Sequence, residues 1–297
     1  MRFAELSYAS PQQPLIKRAV IRTIEQLSGR NRYAESYDWW RRNVVPTGEQ
    51  VFTHMLSLAG VGLSLEGARL PENEPQRPLV IVANHPFGLA DGIALLSIAE
   101  QLGRPFRVLI HADLLRVPEL RPYALAVDFD ETKEAQKRNL EMRREALALL
   151  NAGTIIAIFP AGAVATAPKV FGRAEDLPWK LFVAKLIQEA RADVLPVFFE
   201  GQNGFSFHAV SRFSLTLRLS LIIREFRRLA GKTITARLGK LVRWDELAEI
   251  KDRKAIIALL RERVFELEIP KLSASRRLRR PRMRRLPEHR LPHRHPA

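Results

Sequence analysis

The sequence predicts an α/β fold in which helices flank a mostly parallel central sheet. Five short and almost wholly apolar runs are typical of strands buried on both faces, at 78–84, 106–112, 123–129, 154–160 and 194–200. Helical patterns lie between these runs, at 91–102, 132–151 and 178–190. Strands that alternate with helices favour parallel pairing, because a parallel connection must cross back over the sheet.

The remaining elements lie on either side of this alternation. A long amphipathic helix at 211–229, a last strand at 232–242 and a helix at 252–267 follow it. Before it, helical patterns at 13–28, around Tyr37 to Trp40, and at 49–59 predict a helical N-terminal preface over residues 1–60. Two interpretations of this preface stay open, since its apolar faces suit both packing on the α/β domain (61–270) and docking on a membrane surface.

Basic residues are concentrated at the C-terminus. The chain carries 48 Lys and Arg against 32 Asp and Glu, a net charge of +16. The 22 residues 276–297 hold nine arginines and one glutamate and contribute +8 of that charge. Because this segment is rich in proline and poor in apolar residues, we expect residues 271–297 to form a disordered, Arg-rich tail. The charge indicates an anionic partner, which is a nucleic acid, an anionic membrane surface or an acidic carrier protein.

Several chemistries are excluded or disfavoured by composition. The chain has no cysteine, which excludes disulfides, thiolate metal ligands and cysteine nucleophiles. No metal site is predicted. No secretory signal and no uncharged stretch long enough to span a bilayer are apparent, and the nearest candidate, 79–99, contains His85 and Asp91. We therefore expect a soluble or peripheral protein.

The stretch VIVANHPFGLADGIAL at 80–95 carries the first candidate chemistry. An apolar strand runs directly into Asn84 and His85, and Asp91 follows six positions after the histidine. A strand end in a parallel sheet is where ligands bind, and a histidine oriented by a carboxylate is a general base. The alternative, with Asp91 as a helix N-cap and His85 as an ordinary turn residue, is about equally favoured by these residues alone.

Two later blocks favour catalysis. IFPAG at 158–162 is a strand that ends in a turn suited to place backbone N–H groups near an anionic oxygen, and VLPVFFEGQNG at 194–204 is a strand with a proline inside it. Together with NHPFGLADG, these blocks resemble the glycerolipid acyltransferase superfamily of 1-acylglycerol-3-phosphate acyltransferases, in order and spacing, across about residues 78–205. The residues within these blocks are most similar to those of the hemolysin-like branch that includes ornithine-lipid O-acyltransferases.

The resemblance implies direct acyl transfer without an acyl-enzyme. His85 would deprotonate the hydroxyl of a lysolipid, either lysophosphatidic acid or a lyso-ornithine lipid, and that oxygen would attack the thioester of acyl carrier protein or coenzyme A. Asp91 would orient His85. No cofactor is implied beyond the acyl thioester co-substrate. The implied substrate-binding residues belong to the three blocks and are Asn84, Phe87, Gly88, Phe159, Pro160, Ala161, Gly162 and Pro196, the last shaping the acyl side.

Two departures from the family pattern affect these expectations. The family has four residues between histidine and aspartate and this chain has five, so we expect Asp91 to reach His85 through a looser loop that Gly88 and Gly92 relax. Ala161 stands where the family's FPEG block has glutamate, which favours an acceptor other than a glycerol phosphate. Four basic residues are either head-group contacts or ordinary surface charges, namely Arg116, Lys133, Lys169 and Arg173.

The sequence therefore predicts a peripheral O-acyltransferase at the cytoplasmic face of the inner membrane. The basic tail and surface would meet anionic lipid or an acidic acyl carrier protein. Two rivals stay open. A nucleic-acid-binding protein would use the tail, although its basic residues are not interleaved with aromatic ones, so no specific nucleic acid is expected. A catalytically inactive scaffold would keep the fold alone.

Overall fold

The computed structural model describes residues 30–71, 77–128, 132–168, 172–211 and 215–269, together with residues 15, 18, 19, 22 and 23. The predicted tail lies outside these residues. The strands are β1 (Gly62–Gly67), β2 (Leu79–Ala83), β3 (Phe106–His111), β4 (Ala124–Val127), β5 (Ile155–Ile158), β6 (Asp193–Phe199) and β7 (Thr233–Leu238). The α-helices are α1 (Arg30–Asn43), α2 (Val51–Leu58), α3 (Leu89–Glu100), α4 (Lys133–Asn151), α5 (Phe182–Ala190), α6 (Phe205–Ser211), α7 (Leu215–Arg228), α8 (Trp244–Leu247) and α9 (Arg253–Phe265). Short 3₁₀ segments cover Val45–Thr47, Ala112–Arg116 and Pro118–Tyr123.

The described strands form one sheet in the order β1-β7-β6-β2-β5-β3-β4. Neighbouring strands are parallel, except that β6 and β7 pair antiparallel. The predicted mostly parallel α/β sheet flanked by helices is therefore confirmed. Strand β2 lies between β5 and β6, and all its residues are buried, which explains why it reads as a continuous apolar run.

Helices cover both faces of the sheet. Alternate residues of β2 point to opposite faces, as the strand period of two requires. Leu79, Ile81 and Ala83 pack with the layer that contains α1, α2 and α3. Val80 and Val82 pack with the layer that contains α4, α5 and α9. The centre of the sheet is thereby shielded from water on both sides.

The described part of the helical preface packs on the same core as the sheet. Trp40 of α1 is almost fully buried and donates its indole N–H to the carbonyl of Val51 at 2.7 Å. The Glu100 carboxylate, at the end of α3, accepts the backbone N–H groups of Phe52 (2.8 Å) and Thr53 (3.1 Å) at the start of α2. These N–H groups have no partner within their own helix, so Glu100 fastens α2 to α3. Membrane association of the preface stays a prediction.

Among the described strands and α-helices, three were not predicted, namely β1, α6 and α8. Strand β1 begins and ends with glycine and is only partly buried, so its strand signal is weak, and it is held through parallel pairing with β7. Helix α6 is a short segment directly after the predicted strand block at 194–204. The predicted strand at 232–242 ends at Leu238, although Gly239 and Val242 still form backbone hydrogen bonds with Pro196 and Val194 of β6.

Candidate active site

Three strand ends meet at one edge of the sheet. Strands β6, β2 and β5 are adjacent and parallel, so their carboxyl ends point the same way. The residues that follow them begin at Asn84, Phe159 and Glu200, which are the ends of the three sequence blocks. The crevice outside such strand ends is the usual ligand site of an open α/β sheet. Strand order therefore gathers segments that are far apart in the sequence.

His85 and Asp91 face each other at this edge. Nδ1 of His85 lies 3.1 Å from Oδ1 of Asp91. The contact departs from a straight hydrogen bond, and neither atom has another hydrogen-bond partner in the described part of the chain. Asp91 is fully buried, whereas the side chain of His85 is 15% exposed. A carboxylate beside Nδ1 favours the tautomer that carries its proton there and leaves the lone pair of Nε2 for a substrate.

Asp91 is held rigidly. It lies in the first turn of α3, and its Oδ2 accepts the backbone N–H of Phe87 at 2.9 Å. The helix N-cap position is Gly88, which has a φ of 86°, and a Cβ there would lie 3.0 Å from Cγ2 of Val164. The expected loose loop is therefore wrong, as is the alternative of Asp91 as N-cap. The tight turn at Gly88 and the first helical turn absorb the extra residue, and Gly92 lies inside the helix.

Asn84 and Phe87 support this loop from within the core. The Asn84 amide accepts the N–H of Phe199 (2.7 Å) and donates to its carbonyl (3.0 Å), which joins the ends of β2 and β6. The carbonyl of Phe87 accepts a hydrogen bond from the Asn203 side chain at 3.3 Å. The Phe87 ring fills the space beside Gly201, where a Cβ would lie 2.7 Å from Cζ. In the structure these two predicted substrate-binding side chains are buried supports.

Replacing Asn84 by alanine is expected to lower the free energy of unfolding by about 2–4 kcal/mol, because a buried N–H and a buried carbonyl lose their partner together. Denaturant titration measures this loss. Asn139 provides a matched control, since its amide makes the same two-way bond to the backbone of Asp128 in a more exposed place. A stable Asn84→Ala protein with a raised KM would instead mean that Asn84 contacts substrate.

The FPAG turn lies directly against the histidine. The ring of Phe159 stacks on the imidazole of His85, with centroids 3.9 Å apart and planes inclined by 22°. Gly162 donates its N–H to the carbonyl of Phe159 at 2.9 Å and has a φ of 72°. Pro160 and Ala161 are buried, and Gly162 is the exposed residue of the four. The turn therefore offers a glycine backbone to the crevice and an aromatic wall to His85.

Pro196 is not part of this edge. It lies in the interior of β6, paired with Val82, three residues before His85 and so about 10 Å back along the strands. Its missing N–H is tolerated because β7 has already left the regular ladder, and Gly239 donates to the Pro196 carbonyl at 2.9 Å. The structure therefore does not bring Pro196 together with the other predicted residues.

A comparison with protein families decides the class of this site. A family model described as Acyltransferase matches residues 27–271. The chain belongs to this acyltransferase family. The predicted membership of the glycerolipid acyltransferase superfamily is confirmed, and the protein is an acyltransferase.

Related proteins share much of the acyltransferase's length. It is 29% identical over 209 residues to the lyso-glycine lipid O-acyltransferase of Phocaeicola vulgatus, with 67% of this chain and 70% of that protein covered. It is 28% identical over 208 residues to the protein of the same name from Bacteroides thetaiotaomicron, with coverages of 66% and 72%. The crystal structure of the 1-acyl-sn-glycerophosphate acyltransferase PlsC from Thermotoga maritima aligns with a TM-score of 0.46 and 16% identity, over 84% of this chain and 79% of that one.

Two residues of the acyltransferase site were missed by the sequence analysis. Asp176 accepts the backbone N–H of His85 on Oδ1 (3.2 Å) and the indole N–H of Trp179 on Oδ2 (3.1 Å). Ala165 donates its N–H to the carbonyl of His85 at 2.7 Å, so both backbone groups of the histidine are held. The segment between β5 and α5 shows no helical or strand periodicity of apolar residues. The spacing of an aspartate and a tryptophan was its only indication of a role in the site.

Of the four basic residues named above, two already have acidic partners. Arg173 pairs with Glu268, and Arg116 lies 3.5 Å from Asp113. Lys133 is the exposed first residue of α4. Lys169 lies outside the described residues. The structure therefore favours the interpretation of Arg116 and Arg173 as surface ion pairs.

Two features are absent from the described part of the acyltransferase. Within the ranges given above, no group of three or more His, Asp or Glu side chains is arranged to hold a metal ion. Across the same residues, every helix is too short or too polar to cross a bilayer.

Proposed function

We propose that this acyltransferase moves a fatty acyl group from a thioester of acyl carrier protein or coenzyme A to the hydroxyl of a lysolipid. The observation that carries the proposal is the pair at the strand end: a partly exposed His85 whose Nδ1 lies 3.1 Å from the buried Asp91. No described residue hydrogen-bonds Nε2 of His85, and the edge of the sheet where His85 lies is the usual ligand site of such a fold.

In the proposed mechanism His85 is a general base. Its Nε2 takes the proton of the acceptor hydroxyl as the oxygen attacks the thioester carbonyl. Asp91 keeps the proton on Nδ1 and stabilises the imidazolium that forms. The tetrahedral intermediate then collapses, the carbon–sulfur bond breaks, and the leaving thiolate takes the proton from the imidazolium. In the FPAG turn the N–H of Ala161 is the proposed partner of the negative oxygen, because Pro160 has no N–H and Gly162 already donates to the carbonyl of Phe159.

Among lysolipids, we propose an acceptor whose head group is an amide-linked amino acid rather than a glycerol phosphate. Two observations support this choice. The relatives from Phocaeicola vulgatus and Bacteroides thetaiotaomicron are named for a lyso-glycine lipid. Ala161, a buried methyl, stands in place of the glutamate of the FPEG block. Lyso-ornithine lipid, the acceptor suggested by the sequence, belongs to the same chemical class.

One assay tests the reaction and the acceptor together. Purified protein is given a radiolabelled acyl group on acyl carrier protein or on coenzyme A, with lyso-glycine lipid, lyso-ornithine lipid or lysophosphatidic acid as acceptor. We expect diacyl product with the amino-acid lysolipids and little with lysophosphatidic acid. Efficient transfer only to lysophosphatidic acid would overturn the acceptor proposal. No transfer with any pair would favour the inactive scaffold.

We also propose that the protein works peripherally at the cytoplasmic face of the inner membrane. Exposed apolar side chains adjoin the segments that build the site, and this support does not depend on the tail. Leu89 follows Gly88, Leu177 follows Asp176, Leu181 precedes α5, and Phe205 begins α6. These four side chains are 37–49% exposed. We call them the apolar rim, and insertion of such side chains into a lipid surface is favourable.

Replacing both Leu177 and Leu181 by glutamate is expected to lower vesicle binding at least about tenfold, because apolar burial is lost and charge is added. Co-sedimentation with lipid vesicles at 0.5 M salt, on the order of what screens the basic residues, isolates the apolar contribution. Leu140→Glu is the control, since Leu140 is similarly exposed (46%) on α4, which contributes no residue to the site. Equal binding by the double variant and the control would contradict the rim.

A further inference from the structure

We propose that Asp176 is a positioning residue for His85, which it holds by the backbone so that the imidazole lies in the field of two carboxylates. The inference rests on the proposed role of His85 as general base. Neither the sequence blocks nor the family resemblance includes Asp176, which lies 16 residues after Pro160 in a segment without regular secondary structure.

The contacts of Asp176 are directed at the histidine. Oδ1 accepts the N–H of His85 at 3.2 Å, and Oδ2 accepts the indole N–H of Trp179 at 3.1 Å. Both oxygens therefore have a partner, and the indole fixes the plane of the carboxylate. Trp179 is buried, and the next residue, Lys180, donates its N–H to the carbonyl of Pro160 at 2.9 Å. The segment that carries Asp176 is thus fastened to the FPAG turn.

Asp176 affects the site through its charge and not only through its hydrogen bonds. Burial raises the pKa of Asp176, the hydrogen bonds from Trp179 and His85 oppose this rise, and the nearby carboxylate of Asp91 adds to it. A buried carboxylate is costly unless it is paired, and the hydrogen-bond partners of Asp176 are the backbone N–H of His85 and the indole N–H of Trp179. Asp176 and Asp91 together favour a positive charge on His85, the charge that proton abstraction creates.

Three elements of the described chain contact His85. Asp91 reaches it from α3, Asp176 from the segment before α5, and Phe159 from the end of β5 covers one face of the ring. The imidazole is therefore contacted by the carboxylate of Asp91 and the ring of Phe159, and Asp176 holds the backbone of the same residue.

The isosteric variant Asp176→Asn removes the negative charge of residue 176 while keeping an oxygen that can hold the backbone of His85. Its amide oxygen still accepts the N–H of His85, whereas the negative charge is lost and the amide N–H₂ opposes the indole N–H. We expect kcat to fall about 10–100-fold with KM nearly unchanged. The acid limb of the pH profile of kcat/KM is expected to move to lower pH, because a negative charge next to the catalytic residue is lost.

Asp193→Asn is the matched control. Asp193 is also buried and accepts a backbone N–H, from Trp244 at 2.7 Å, but it lies at the opposite, amino end of β6. We expect this control to lower thermal stability without moving the pH profile. A purely structural role for Asp176 predicts the same behaviour in both variants, and that result would overturn the inference.

Two further measurements keep the test decisive. NMR titration of the His85 ring, assigned with a His85→Gln variant, needs no activity, and its midpoint should fall in Asp176→Asn. Trp179→Phe keeps the charge but frees one carboxylate oxygen, so kcat should fall several-fold while the acid limb stays in place.

An unchanged His85 titration in Asp176→Asn, in a protein whose wild type transfers acyl groups, would overturn this inference alone. Full activity of a variant without His85 would overturn the proposed function instead.

Discussion

Replacing His85 by alanine is expected to lower kcat for acyl transfer by about 10²–10⁴-fold, the usual contribution of a positioned general base. The side chain lies at the end of the central strand, stacked on Phe159 and 3.1 Å from Asp91. Alanine removes the proton acceptor but keeps both backbone hydrogen bonds of residue 85. The rate is measured with the donor and acceptor that the wild type uses.

The fold is expected to survive this change, since His85 is partly exposed and pairs through its backbone. His54→Ala is the control, because His54 is an exposed histidine on α2 whose removal should leave the rate unchanged. Thermal unfolding of both variants checks that any loss of rate is chemical. Transfer by His85→Ala at the wild-type rate would exclude His85 as the base.

Replacing Asp91 by asparagine is expected to lower kcat by about 10³-fold, through the wrong tautomer of His85. Phe87 donates its N–H to Oδ2 of Asp91, so the oxygen of the amide must stay on that side. The amide N–H₂ then faces Nδ1 of His85 and donates to it. Nδ1 becomes the acceptor, the ring proton moves to Nε2, and the histidine can no longer accept the substrate's proton.

The effect on KM distinguishes this mechanism from a general loosening of the loop. Asp91→Asn should leave KM close to that of the wild type, because the buried side chain does not reach the crevice. Asp91→Ala, which also leaves the N–H of Phe87 without its partner, should lose thermal stability in addition. A normal rate in Asp91→Asn would mean that His85 needs no carboxylate to set its tautomer.

Most of the central architecture could be predicted from short stretches of the sequence. The strand runs and helical patterns between β2 and β6 follow from side-chain period, which depends only on neighbouring residues. His85 and Asp91 could be paired in advance for the same reason, since only six positions separate them and a single turn joins them. The geometry of that turn could not be predicted, and the expected loose loop proved to be a helical turn with a buried aspartate.

The supports of the site depend on strand order instead. Asn84 bonds to Phe199, 115 residues away, because β2 and β6 are neighbours in the sheet. Asp176 bonds to His85 across 91 sequence positions and lies in a segment that shows no helical or strand periodicity. Pro196, by contrast, belongs to a recognisable block but lies inside a strand, away from the edge.

The class of fold, the three blocks and the histidine at their centre could all be read from local spacing and residue type. Which block residues are buried supports, and that a second carboxylate holds His85, became apparent only in the folded chain. Contacts between distant segments depend on the packing of the whole sheet, and no local pattern of side chains carries that information.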